Sequence, residues 1–183
     1  TAMIPLFARY GLAPFRAEHL DIHHGQLRVF VGRENEHEQD STVREILDRE
    51  QAIQIPGWET SQVFASTAQN VKTKLIAMLS DLANQGKTVA GYGAPAKGNT
   101  LLSYLGLGPD DLPFIADRSD LKQGLFTPGH HIPVTSPERI ESESPDYLLL
   151  LAWNFAEEIM NQLTEFRSGG GKFIIPVPEP TIV

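Results

Sequence analysis

Cysteine is absent from the 183 residues, which removes disulfides, thiolate-ligated zinc and thiol nucleophiles together and suits a reducing compartment, so the expected location is cytoplasmic. A basic excess is also missing. Lys and Arg total 15 against 23 Asp and Glu, a net charge of −8, so neither nucleic acid nor an anionic membrane is an expected partner without a local basic patch. No run of Lys or Arg supplies one. Long apolar runs are lacking too: the longest, Tyr147 to Trp153, is far too short to cross a bilayer, and the opening residues carry no signal-peptide pattern. Repeats and low-complexity tracts are not found. A chain of this length forms one good-sized domain, or a domain with an appendage, and buries roughly 70% of its unfolded surface.

What is present changes character along the chain. Met3, Ile4, Leu6, Phe7 and Tyr10 before Gly11 read as a short helix with a glycine stop, and the chain opens as though inside an element, as a piece of a longer polypeptide would. Phe15 to Asp21 and Gln26 to Val31 read as strands joined at His23-His24-Gly25, and Gly32 to Asp40 as a polar linker. Thr42 with Glu45 is a capping-box signal for a helix to about Ile53, broken at Pro56-Gly57. Val63, Phe64, Val71, Leu75, Met78, Leu79 and Leu82 then recur at helical spacing up to Gly86 and predict a long amphipathic helix used for packing.

From Lys87 onward strands and helices alternate. Strands are predicted at Thr88–Tyr92, Pro113–Asp117, Tyr147–Ala152 and Lys172–Val177, with helices from about Lys97 and from about Phe155 to Arg167. Continuous apolar strands separated by helices indicate an α/β fold whose mostly parallel sheet is covered on both faces. Ligands of such sheets gather at the carboxyl ends of the strands, which selects Tyr92–Lys97, Asp117–Gln123, Trp153–Asn154 and Pro178–Glu179. The segment from Gly124 to Pro133, rich in Pro and Gly, is predicted to be a shaped surface loop.

The first of those loops reads Gly91-Tyr92-Gly93-Ala94-Pro95-Ala96-Lys97-Gly98-Asn99. Glycines let backbone approach an anion, the following helix start offers free N–H groups, Pro95 suits helix entry, and Lys97 adds a cation. The same residues also serve as a plain turn closing a strand against a helix. The phosphate-gripping G-x-x-x-x-G-K-[ST] pattern fails here. The dinucleotide pattern G-x-G-x-x-[GA] fits Gly91, Gly93 and Ala96, with Asp117 as the acid after the next strand, so a nicotinamide-cofactor reading stands as a rival.

Several motifs in order carry a family resemblance. The Gly91–Asn99 string, Lys122-Gln123-Gly124, Thr127-Pro128-Gly129 with Ile132-Pro133, Asp146-Tyr147, Ala152-Trp153-Asn154 with Glu157-Glu158-Ile159, and Gly171-Lys172-Phe173-Ile174 resemble the C-terminal domain of S-adenosylmethionine-dependent sugar C-methyltransferases, over nearly the whole chain. The resemblance implies a three-part enzyme on nucleotide-linked deoxysugars, with a zinc domain and a methyltransferase domain upstream and a Rossmann-like domain closing over the sugar nucleotide. It implies that 1–32 is the tail end of the methyltransferase core (helix plus strand pair), 33–86 a helical linker, and 87–183 the Rossmann-like domain. S-adenosylmethionine and the catalytic base belong to the upstream domain, so this chain binds no cofactor and does not methylate alone. Its expected partners are a nucleotide-diphosphate sugar and the upstream methyltransferase domain.

The resemblance also turns the glycine loop toward the substrate cleft, and the substrate-binding candidates are His24, Arg28, Tyr92, Gly93, Ala94, Pro95, Ala96, Lys97, Asn99, Asp117, Lys122, Trp153 and Asn154. Relatives usually carry His-Gly-Gly, two residues and Arg; here the string is His23-His24-Gly25-Gln26-Leu27-Arg28, so His24 replaces a glycine and alters the expected cleft. No residue of this chain is a catalytic candidate except His23, in a supporting role. Neighbouring strand residues point to opposite faces, so His23 and His24 do not enter one pocket together. Neither that pair nor His130-His131 has the same-face spacing and carboxylate company of a metal site, and none is expected. Trp153 also reads as a core aromatic, and Asn154 and Asn99 as helix-start residues. Two rival functions remain: a nicotinamide-dependent oxidoreductase domain and a non-catalytic interaction module docking through the long helix.

Overall fold

The computed structural model describes residues 1–21 and 25–183, and the chain divides into two compact units, Thr1–Thr67 and Ala68–Val183. In the first unit, helix α1 (Met3–Ala8) precedes strands β1 (Leu12–Leu20) and β2 (Gln26–Arg33), which pair antiparallel with a register irregularity between Pro14 and Arg16. Helix α2 (Ser41–Ala52) follows. Its N-cap is Asp40, whose carboxylate accepts the Thr42 N–H at 2.9 Å. The capping-box reading is therefore corrected: the Thr42 hydroxyl accepts the Ala17 N–H at 3.1 Å and ties the helix to β1.

Helix α3 (Trp58–Asn84) begins in the first unit and continues into the second. Its apolar stripe is two different surfaces. Leu75, Leu79 and Leu82 are buried, whereas Val63 and Phe64 are 67% and 76% exposed. The packing role predicted for the whole stripe thus holds for its carboxyl half within the second unit.

Among the described residues of that unit, six strands are ordered β5-β4-β3-β6-β7-β8. Strands β3 (Val89–Tyr92), β4 (Ile115–Ala116), β5 (Val134–Thr135), β6 (Tyr147–Leu150) and β7 (Lys172–Ile175) run parallel, and β8 (Thr181–Ile182) pairs antiparallel at the edge. Helices α4 (Ala96–Leu105), α5 (Glu138–Glu143), α6 (Ala156–Gln162) and α7 (Thr164–Ser168) cover the sheet. The fold is α/β, with a mostly parallel Rossmann-like sheet.

Two cores form because successive strand residues face opposite sides. Val89, Leu149, Leu151 and Ile174 pack with the buried faces of α3 and α4, and Ala90, Tyr92, Leu148, Leu150 and Phe173 with Ile140 of α5 and Ile159 of α6. The predicted helix over 155–167 is three pieces, a 3-10 turn at Trp153–Phe155 and then α6 and α7. In the 124–133 loop, Ile132 is fully buried and its N–H donates to Thr127 Oγ1 at 2.9 Å, so an apolar anchor and a hydroxyl shape the loop. Among the described residues, no helix is long and apolar enough to cross a membrane.

Candidate functional site

The carboxyl ends of β3, β4 and β6 bring three predicted loops together. Gly93 leaves β3 at φ +81, a conformation that favours glycine, and a Cβ there would lie 3.0 Å from that of Ala152 beyond β6. Pro95 is the N-cap of α4 rather than its first helical residue, and the first intrahelical bond runs from Asn99 N–H to the Pro95 carbonyl at 3.1 Å. The amides of Ala96, Lys97 and Gly98 are the orphan donors of this helix start. They face the carboxyl edge of the sheet, where the macrodipole favours an anion.

Gly98 packs where the fingerprint reading put Ala96. A Cβ on Gly98 would stand 2.9 Å from Leu151 Cβ, whereas Ala96 is exposed and Gly91 lies inside β3 with its Hα side against Ile115. The operative register is therefore Gly93-x-Pro95-x-x-Gly98, a turn glycine and a helix-packing glycine separated by the dinucleotide spacing. Proline occupies the position at which a dinucleotide fold has a bare glycine for close pyrophosphate approach. This corrects the assignment of the motif to Gly91, Gly93 and Ala96, and it weighs against the nicotinamide rival.

Asp117 follows β4 and is 9% exposed. One carboxylate oxygen accepts the Ala94 N–H at 2.7 Å and the Lys122 ammonium at 3.0 Å, and the other accepts the Ser119 N–H at 2.8 Å. Burial pushes its pKa up, but the two amides and the ammonium outweigh burial and hold it below the usual carboxylate value. Gln123 Nε2 donates to the Asp117 carbonyl at 3.0 Å. Sequence reading missed Ser119 and Gly98 as participants. Asp117-Arg118-Ser119 is an Asx-turn signal that identifies the first.

Lys97 reaches across to β6. Its ammonium donates to Asn154 Oδ1 and lies 4.6 Å from the centre of the Trp153 ring, and partial burial lowers its pKa. Trp153 also packs against the core, as does Ala94. Tyr92 is buried on the opposite face of the sheet, and burial raises its phenol pKa. Asn99 Oδ1 is one of two buried side-chain oxygens without a partner among the described residues. Arg28 lies on β2 in the other unit, 3.5 Å from Glu18. His23 and His24 fall outside the described residues.

A cavity of about 480 Å³ opens at the other end of the strands, before β6 and β7, lined by Glu138, Glu141, Asp146 and Glu165 and by the Gly169–Gly171 backbone, with no Lys or Arg. Its charge suits no anion. The α4 amides and the Lys97 and Lys122 ammonium groups, donors that suit an anion, stand at the carboxyl ends instead. Among the described residues, no three His, Asp or Glu side chains gather as a metal site.

A mostly parallel α/β sheet carrying this strand-end cradle matches the family of C-methyltransferase C-terminal domains over residues 21–178, and the chain belongs to that family. It is 39% identical over all 183 residues to the C-methyltransferase NovU of Streptomyces niveus, of which it spans 44% of the length.

Proposed function

We propose that this chain is the substrate-binding portion of an S-adenosylmethionine-dependent C-methyltransferase acting on a nucleotide-linked keto-deoxysugar. The observation that carries the reading is the placement of the Ala96–Gly98 amides after β3, at the carboxyl ends of the sheet, with the Lys122 ammonium on the Asp117 side and the Lys97 ammonium on the side of the half-buried Trp153 ring. Fixed donors and two cations fit a diphosphate. They do not fit a sulfonium cation, and the one acidic group within the cradle, Asp117, is already occupied by three donors. That the methyl donor is held upstream of this domain is what the family resemblance implies.

C-methylation beside a ketone needs a base to remove the carbon-bound proton and a stabiliser for the enolate oxygen before the carbon bonds the methyl group. The described residues of the cradle offer donors and no free base. The role proposed for this chain is to hold the acceptor, and the family resemblance implies that proton removal belongs to the upstream domain. Lys97→Ala in the complete polypeptide is expected to weaken nucleotide-diphosphate-sugar affinity about tenfold, the worth of one charge-assisted contact, and to leave S-adenosylmethionine binding unchanged. Isothermal titration with each ligand checks this, and an unchanged sugar-nucleotide isotherm removes Lys97 from the site.

A further inference from the structure

Resting on the anion-site reading above, we propose that Asp117 is the positioning residue of the cradle: it ties the β3–α4 loop to the loop after β4, sets where the Ala96–Gly98 amides and the Lys122 ammonium meet the ligand, and touches no ligand itself. Ala94 sits between the turn at Gly93 and the cap at Pro95, so the bond from its N–H to Asp117 at 2.7 Å fixes the two residues that aim α4. The same carboxylate holds Lys122 at 3.0 Å and closes its own Asx turn through Ser119 at 2.8 Å. Three donors on two oxygens at a site 9% exposed leave little acceptor surface for a sugar or ribose hydroxyl. This is a different role from the acid at the end of the second strand in dinucleotide folds, which accepts from the ribose.

The two roles predict opposite signs for a ligand that has no hydroxyl. A carboxylate next to an anion site is electrostatically unfavourable to the anion, so Asp117→Asn on charge alone strengthens binding of inorganic pyrophosphate. If Asp117 positions the cradle, the same change weakens it. Asn presents one oxygen and one NH2 where two acceptors are needed, so it cannot serve Ala94, Ser119 and Lys122 together.

The experiment titrates pyrophosphate and UDP-glucose into the complete polypeptide and its Asp117→Asn variant, and follows the Ala94 and Ser119 amide resonances of the 15N-labelled wild-type protein against pH. The positioning role predicts that Asp117→Asn weakens both ligands by a similar factor, about tenfold for the loss of one charge-assisted hydrogen bond. It also predicts that the two amides titrate together in the acid range. The clamp is closed at neutral pH and opens as pH falls through the lowered pKa of Asp117. The nearby Tyr92 phenol does not confuse that midpoint, because burial raises it above its ordinary alkaline value. A variant that loses UDP-glucose but keeps or gains pyrophosphate overturns the proposal in favour of hydroxyl contact. Amides that titrate apart, or not at all, overturn it as well, and that readout needs no ligand and survives a variant that fails to fold. Failure of both ligands to bind the wild type overturns the anion-site reading instead, while coupled amide titration then still upholds the clamp.

Discussion

Gly98 shows how a single missing methyl group positions the site. It lies in the first turn of α4, where alanine has the better helix propensity by about 1 kcal/mol. A Cβ there, however, meets Leu151 Cβ at 2.9 Å and the Leu151 carbonyl oxygen at 3.2 Å, at a fully buried residue just after β6 with little freedom to give. Overpacking of that kind costs about 1–3 kcal/mol, so the steric loss exceeds the propensity gain. Gly98→Ala is expected to lower stability by about 1 kcal/mol net, read as a lower midpoint in urea unfolding at unchanged m-value, because the start of α4 must lift from the sheet. An equal or higher midpoint contradicts the close-packing role. Proline at position 95 acts in the opposite direction, filling space beside the cradle, and the pair distinguishes this loop from a dinucleotide turn of the same spacing.

The long helix makes the corresponding point for elements. One apolar stripe runs through α3, yet Leu75 is fully buried against the sheet while Phe64 is 76% exposed. Leu75→Ala is expected to destabilise the chain by about 2–5 kcal/mol, and Phe64→Ala by less than about 0.5 kcal/mol, as measured by urea denaturation. Comparable losses at the two positions contradict the description of α3 as half packed. Helical spacing predicted the existence and extent of α3 because 3.6-residue periodicity is a local property. It could not say which half is covered, since burial depends on what the rest of the fold places opposite. The same limit applies to β5 and β8. Two-residue strands carry no periodicity of their own, and β5 and β8 are strands only through their pairing with β4 and β7. The N-cap of α2 went to Asp40 because Thr42 had a tertiary partner in Ala17, which local pattern does not reveal.

For the molecule as a whole, the class of fold and the end of the sheet at which the predicted loops meet were legible, because alternating apolar strands and helices dictate a parallel sheet and a parallel sheet dictates where its loops converge. The partners within the site were not. Asp117 read as a ligand acid, and only the placement of Ala94, Ser119 and Lys122 around it shows that its oxygens are occupied. The central claim is that the carboxyl ends of the strands, and not the acidic cavity at their amino ends, receive a nucleotide diphosphate. It is tested most directly by mapping the amide chemical shifts of the 15N-labelled chain as uridine diphosphate is added. The account predicts saturable shifts confined to Gly93–Asn99 and the neighbourhood of Lys122. Shifts centred on Glu138, Glu141 and Gly169–Gly171, or none at millimolar ligand, contradict it.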